Sequence, residues 1–211
     1  MADAQLIEIS PHNPRSSDLI KIKEVLCNGG LVGLPTDTLY GLTVRMDAAG
    51  ALARLRKFKE LPKDAPILFV VDSADMAGRY WQSPLPDGLS KLMEVFWPGP
   101  LTLIYLARNC DKEASPDGTI AFRMPADPVL SELVRLCDVP LASTSANRHN
   151  TPPANYATEA MTYFRSGVDL WVDDGRILGG EPSTVFNAIN GKLVRAGRIG
   201  ASDIVKIWGN I

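Results

Sequence analysis

The chain has 211 residues, enough for one domain or one domain plus a small extension, and a domain of this size buries about 70% of its unfolded surface without a disulfide or metal staple. Its 45% hydrophobic and 22% charged content, with a formal net charge of -2, excludes a disordered chain, a collagen-like repeat and a strongly basic nucleic-acid arm. Residues 1–100 and 101–211 each carry 11 Lys/Arg and 12 Asp/Glu, so any anion site has to come from local clustering.

In chain order, short apolar runs of strand size alternate with helical patterns, which predicts an α/β or mixed α+β sheet protein. Residues 6–9 form the first expected strand. Ser16 or Ser17 can cap a helix over 18–27 that Asn28-Gly29-Gly30 closes. A strand over 31–34 ends at Pro35, and Asp47 is expected to cap a helix over 48–58. Further strands are expected over 67–71, 101–106, 119–122 and 141–144, with helices over 87–96 and 129–137. After the turn-rich residues 147–155 come a helix near 157–164 and strands near 168–172, 184–187 and 192–194. The pattern contains no repeat and no low-complexity linker. The expectation is a single domain over 1–211, with a motif-bearing core at about 15–200 and no C-terminal extension domain.

The opening MADAQLIEISPHNP lacks a basic stretch followed by an apolar one, and the longest apolar runs are far too short for a membrane span. Cys27, Cys110 and Cys137 form no CxxC pair, and His12 and His149 are the only histidines. A cytoplasmic protein with inert thiols, no protein-built metal site and no membrane contact is therefore expected.

Polar segments that follow strand-like runs carry the chemistry. They are Pro35-Thr36-Asp37-Thr38-Leu39-Tyr40-Gly41, Ser143-Thr144-Ser145-Ala146-Asn147 and Glu181-Pro182-Ser183-Thr184. Strand ends converge on ligands in open sheets, and hydroxyls with free backbone N–H groups suit small anions there. The densest basic segment, Arg54 to Lys63, holds five cations against one acid. Each segment also has a plainer reading taken alone: Thr and Asp organise turns locally, cations favour a helix C-terminal end, and Asp173-Asp174-Gly175 is most simply a turn. P-loop, dinucleotide-fold, zincin and hydrolase-elbow motifs are absent.

The ordered combination is far more specific. PTDTLYGL at 35–42, Lys59-x-x-Pro62 with Pro66 before a strand, Pro98-Gly99-Pro100-Leu101-Thr102, Arg123-Met124-Pro125, STSAN at 143–147, Pro182-Ser183-Thr184-Val185 and Arg195-x-Gly197 together resemble the YrdC/YciO family, and within it the single-domain threonylcarbamoyl-AMP synthases. The resemblance covers roughly residues 15–200. It implies a YrdC-like α/β fold, a twisted open mixed sheet with flanking helices around a large basic cavity. It also implies that L-threonine, bicarbonate or carbon dioxide, and ATP give threonylcarbamoyl-AMP and pyrophosphate, for threonylcarbamoyladenosine modification of tRNA. Magnesium would ride on ATP. The macromolecular partner it implies is tRNA or the downstream threonylcarbamoyl transfer complex.

Carried over residue by residue, the resemblance assigns Thr36, Thr38, Tyr40, Arg123, Ser143 and Ser183 to threonine. It assigns Lys59, Lys63, Thr119, Ser145, Asn147, Pro153 and Arg195 to the nucleotide. Lys59 and Arg123 would act as electrostatic stabilisers, and no covalent nucleophile is implied. A guanidinium suits a carboxylate because it donates two parallel bonds.

The chain departs from the synthase pattern at one place that matters. The synthases carry Lys-x-Arg before the proline, whereas this chain has Lys59-Glu60-Leu61-Pro62; Val70 also stands where many relatives have His. Losing a phosphate-binding arginine removes a bond worth roughly 1.5–3 kcal/mol. Lys57, Arg56 or Lys63 are the available substitutes. The alternative is a YciO-like nucleotide- or RNA-binding protein, tRNA- or ribosome-associated and without synthase activity, with Arg54 to Lys63 as its footprint. A third reading is another carbamoyl or acyl adenylation.

Overall fold

A twisted, open ten-stranded mixed sheet forms the frame of the molecule, as seen in a computed structural model that describes residues 5–147, 151–164, 166–175 and 180–209. Its strands are β1 (Gln5–Glu8), β2 (Val32–Leu34), β3 (Gly41–Arg45), β4 (Leu68–Val70), β5 (Leu101–Leu106), β6 (Thr119–Arg123), β7 (Leu141–Ser145), β8 (Leu170–Asp173), β9 (Thr184–Asn187) and β10 (Lys192–Arg195). Across the sheet they lie in the order β1-β8-β2-β3-β7-β4-β6-β5-β9-β10. The pairs β1/β8, β2/β8, β4/β6 and β5/β9 are parallel, and the others are antiparallel.

Helices α1 (Ser16–Cys27), α2 (Ala51–Phe58), α3 (Ala74–Gly78), α4 (Asp87–Phe96), α5 (Pro128–Cys137), α6 (Ala157–Tyr163) and α7 (Ala201–Trp208) flank the sheet. Leu19, Ile22 and Leu26 form the buried stripe of α1, and Val129, Leu130, Leu133, Val134 and Cys137 that of α5, at the spacing one helical face requires. Asp127 caps α5 by accepting from Leu130 N at 2.7 Å, and Pro128 follows at the first turn, where a missing N–H costs nothing. Trp81 anchors the core: it is fully buried, stacks on Trp97 at 6.0 Å and donates its indole N–H to the carbonyl of Ile120 at 3.2 Å.

Three expectations need correction. Gly41–Arg45 is a strand, not part of a polar loop, and β2 and β3 are antiparallel with Leu34 opposite Gly41. The PTDT segment is therefore the loop of a hairpin. Its strand was hidden because Gly41, Leu42, Thr43 and Val44 are all buried, so no alternation shows. Helix α2 starts at Ala51 behind Gly50, whose φ of 70° interrupts the chain there. Asp47 instead takes the guanidinium of Arg45, with Nη2 at 3.1 Å. Finally, α1 has no side-chain cap from a serine, because Ser16 is already its first residue and Arg15 holds the cap position. Helices α3 and α7 add to the expected set.

The C-terminal ends of α1 and α2 close alike. In α1, Gly30 N donates to Val25 O and Gly29 N to Leu26 O, with Gly29 at φ 74°. In α2, Leu61 N donates to Arg56 O and Glu60 N to Lys57 O, with Glu60 at φ 54°. This is the Schellman pattern, and its left-handed position holds Glu60 instead of the usual glycine. The turn reverses the chain after Lys59 and delivers Leu61 to the wall of the main cavity.

Candidate active site

One face of the sheet forms the cavity floor, and strand register explains which residues share it. Ser143 on β7 lies opposite Thr43 and Leu68, Leu68 lies opposite Ala121, and Ala121 lies opposite Ile104. Two residues along, on the same face, Arg123 follows Ala121 on β6, and Thr102 on β5 lies opposite Val185 of β9. Over this floor sit Thr36, Thr38 and Leu39 of the β2–β3 loop, Leu61 and Pro66 from the segment after α2, Pro182, Ser183, and Val194 and Arg195 of β10. The cavity volume is about 320 Å³. Thr36, Thr38, Thr102, Ser143, Thr144, Ser145 and Ser183 supply hydroxyls, while Leu61, Pro66, Ile67, Ile104, Val185 and Val194 supply an apolar wall.

Arg123 is the deepest charge, with only 2% of its surface exposed. Its Nη1 donates to Asp37 Oδ1 at 2.6 Å, whereas its buried Nε has no partner. Asp37 is held in turn, since Oδ2 accepts from Ala126 N at 3.2 Å and its carbonyl accepts from Arg198 Nη1 at 3.0 Å. The buried ion pair thus ties the hairpin loop to the end of β6 and leaves one guanidinium edge unsatisfied. An unpaired buried N–H is costly, and an anionic oxygen would relieve it.

The expected threonine residues divide into two groups. Thr36, Thr38, Arg123, Ser143 and Ser183 line the cavity. The Thr36 hydroxyl also organises its own loop, donating to Leu39 O at 2.7 Å and accepting from Thr38 N and Leu39 N at 3.1 Å. Gly41 brings β3 close beneath, because a Cβ there would lie 3.0 Å from Ser143 Oγ. Tyr40 lies outside the lining: it is fully buried against Trp171 at 6.3 Å, with an unpartnered hydroxyl. Burial, and then the charges of Asp173 and Asp174, push that phenol well above the usual tyrosine range.

Of the expected nucleotide residues, Ser145 and Arg195 line the cavity. Asn147 sits just beyond, accepting from Ser145 Oγ at 2.6 Å and donating through Nδ2 to Thr151 O at 2.6 Å. Lys59 turns behind this loop, donating to the carbonyls of Ser145 and Asn147, and its ammonium lies 5.5 Å from the Phe164 ring. Burial brings its pKa down to about 8. Thr119 shares the Ala121 face but lies one step farther out, bonded to Asp117 at 2.8 Å. Lys63 is exposed, and Pro153 is half-buried outside the lining.

Arg195 crosses the cavity mouth, with Nε and Nη2 on Ser183 O at 3.1 and 2.8 Å and Nη2 on Ser183 Oγ at 3.0 Å. Burial, and then the neighbouring Arg123, lower its pKa below the usual arginine range. Gly197 permits this crossing, because a Cβ there would meet Pro182 O at 2.3 Å. Arg56, one substitute for the missing arginine, is buried and committed to the carbonyls of Pro62, Ala65 and Glu113 at 3.2, 2.6 and 2.9 Å. Asp37 and Thr102 were missed as site residues. Thr102 could have been found from the alternation along its strand, which puts it on the face of Ile104.

The Sua5_yciO_yrdC family model, described as "Telomere recombination", matches residues 24–197. The chain belongs to this family. It is 30% identical over 187 residues to the threonylcarbamoyl-AMP synthase of Pyrococcus abyssi, covering 87% of this chain and 55% of that one. The structure of P. abyssi Sua5 complexed with L-threonine superposes with a TM-score of 0.90 at 27% identity, covering 98% of this chain and 61% of that chain. E. coli YciO shares the fold, with a TM-score of 0.85 at 23% identity over 97% of this chain and 99% of that chain. This family member thus spans a little over half the length of its Pyrococcus relatives. Among the described residues no helix is long and apolar enough to cross a membrane.

Proposed function

We propose that this chain makes threonylcarbamoyl-AMP from L-threonine, bicarbonate or carbon dioxide, and ATP, for threonylcarbamoyladenosine modification of tRNA. The observation that carries this reading is Arg123, a buried guanidinium whose Nε has no partner, in the lining of a hydroxyl-rich cavity of about 320 Å³. A guanidinium so placed suits the carboxylate of a small amino acid, and the P. abyssi structure with L-threonine supports the choice of amino acid. Ser143 and Ser183, within the same lining, supply hydrogen bonds for the rest of it.

In the reaction the threonine amine bonds to carbon dioxide and loses a proton, giving a carbamate. A carbamate oxygen attacks the α-phosphorus of ATP, the bond to the β-phosphate oxygen breaks, and pyrophosphate leaves. The protein needs no nucleophile for either step. Its contribution is to hold anionic partners together and offset their charge, which orientation and fixed donors can do. Ser145 and Arg195 face the nucleotide side, and Lys59 supports the Ser145–Asn147 loop from behind. Magnesium would arrive on the triphosphate oxygens; Asp37, the carboxylate beside the cavity, is already committed to Arg123 and Ala126. The cytoplasm, which supplies ATP, threonine, bicarbonate and tRNA together, is the setting that fits this reaction.

The position of Leu61 in the lining gives the non-synthase reading its footing, since a leucine occupies the phosphate-side wall. The proposed RNA footprint is weaker than its sequence suggested. Arg54 is paired with Asp169 at 2.6 Å, Arg56 is buried on carbonyls, and Lys59 points inward. Lys57 and Lys63 remain exposed. Pyrophosphate release from ATP, with threonine and bicarbonate omitted in turn, tests the synthase reading. Release that depends on both supports it, and release that depends on neither removes it. Tight tRNA binding that falls steeply with salt, without such release, would favour the RNA reading.

A further inference from the structure

Two buried hydroxyls at the cavity edge present one proton more than the described residues accept. Thr102 and Ser183 are 1% and 3% exposed, both line the cavity, and their Oγ atoms are 2.8 Å apart. Each hydroxyl has one proton and two lone pairs, whereas a guanidinium only donates. The bond from Arg195 Nη2 to Ser183 Oγ at 3.0 Å therefore fixes Ser183 as acceptor there. The Thr102–Ser183 bond consumes one of the two hydroxyl protons, whichever residue supplies it. The second proton has no acceptor among the described residues. If Thr102 donates, both lone pairs of Ser183 are filled and the Ser183 proton points away from both donors. If Ser183 donates, the Thr102 proton is the one left over. A buried O–H without an acceptor is penalised, so the arrangement is completed by an acceptor in the cavity.

We infer that Thr102 donates to Ser183 and is a positioning residue that, together with Arg195, locks Ser183 so that Ser183 delivers its hydroxyl proton to an oxygen of the amino-acid substrate. The inference rests on the synthase reading for the identity of that substrate. Strand β5 makes the placement rigid: Thr102 lies in register with Val185 of β9, and Thr184 N bonds Pro100 O at 2.9 Å. Ser183 precedes β9 directly, so both hydroxyls ride on one hydrogen-bonded strand pair. Without Thr102, Ser183 keeps its bond from Arg195, but its proton is free to rotate away from the substrate.

The test compares Thr102→Val, Thr102→Ser, Ser183→Ala and the Thr102→Val/Ser183→Ala double variant. The readouts are the KM values for L-threonine and ATP, kcat, and L-threonine binding by titration calorimetry. Thr102→Val is expected to raise the threonine KM and Kd roughly three- to tenfold while the ATP KM stays within about twofold. Thr102→Ser restores the hydroxyl and should restore threonine affinity. In the Ser183→Ala background the valine substitution should add no further loss. Unchanged threonine affinity in Thr102→Val, an equal rise in both KM values, or full additivity with Ser183→Ala overturns the inference while leaving the synthase reading intact. Wild-type protein that binds no L-threonine overturns both together.

Discussion

Leu61→Arg puts a guanidinium on the cavity wall where the Schellman turn after α2 already directs the side chain. The charged residues of the described lining are Arg123 and Arg195, and Asp37 already offsets the first of them. A third guanidinium would therefore be a large addition to the field acting on a triphosphate. A hydrogen bond from a charged donor contributes roughly 1.5–3 kcal/mol, which by itself is a gain of about 10- to 150-fold. Three features of the wall reduce this. Pro66, Ile67 and Leu68 offer the new head group no acceptor side chain, and Arg195 repels it. Leu61 is only half-buried, so the longer side chain can keep its head hydrated at the mouth. The expected result is a gain near the lower end, about tenfold in kcat/KM for ATP, with the threonine KM unchanged. Steady-state pyrophosphate release at varied ATP and saturating threonine and bicarbonate measures it. No change in the ATP parameters, or a change confined to threonine, would refute the idea that Leu61 occupies the phosphate side.

Arg123→Lys keeps a cation for Asp37 but removes the free Nε edge, so the protein should stay folded while the threonine KM rises at least tenfold; titration calorimetry with L-threonine checks this. Asp127 tests the electrostatics beneath the site. Burial, reinforced by Asp174 and Asp37 against the Leu130 N–H and Arg123, pushes its pKa from 3.8 up to about 6. Between these values the unfolded chain releases its proton first, so this group's contribution to stability is present below about pH 4 and is lost as pH rises to about 6. Asp127→Asn keeps an N-cap without that loss; urea melts should match wild type at pH 4 and exceed it at pH 7 by up to about 3 kcal/mol. Gly197→Ala forces a Cβ against Pro182 O at 2.3 Å, a backbone atom that cannot swing aside. Displacing Arg195 from Ser183 should lower kcat/KM for both substrates several-fold, with a measurable fall in melting temperature.

Much of the frame was legible because its signals are local. Alternation and β-branching marked nine of the ten strands to within about two residues, and the Asn28-Gly29-Gly30 stop lies where α1 ends. β3 was not legible, since a strand buried on both faces has no polar alternation and begins at a glycine. Of the hydroxyl residues singled out from motif order, the structure puts Thr36, Thr38, Ser143, Ser145 and Ser183 around one cavity, together with Thr102 and Thr144, which were not singled out. What sequence could not supply is the partner of each charge. The Arg54 to Lys63 run looked like a basic surface, yet Arg54, Arg56 and Lys59 are spent on Asp169 across the chain, on loop carbonyls and on the Ser145–Asn147 loop, leaving Lys57 and Lys63 exposed. Asp37 looked like a turn former, and its contact with Arg123, 86 residues away, is set by the sheet order alone.

Isotope labelling tests the central claim most directly. The protein is incubated with ATP, magnesium, ¹³C-bicarbonate and L-threonine, quenched, and examined by mass spectrometry. The account predicts a threonylcarbamoyl adenylate whose mass rises by about one unit with the labelled bicarbonate, and which is lost in Arg123→Lys at low threonine. ATP turnover that yields no product carrying both threonine and the bicarbonate carbon would contradict it.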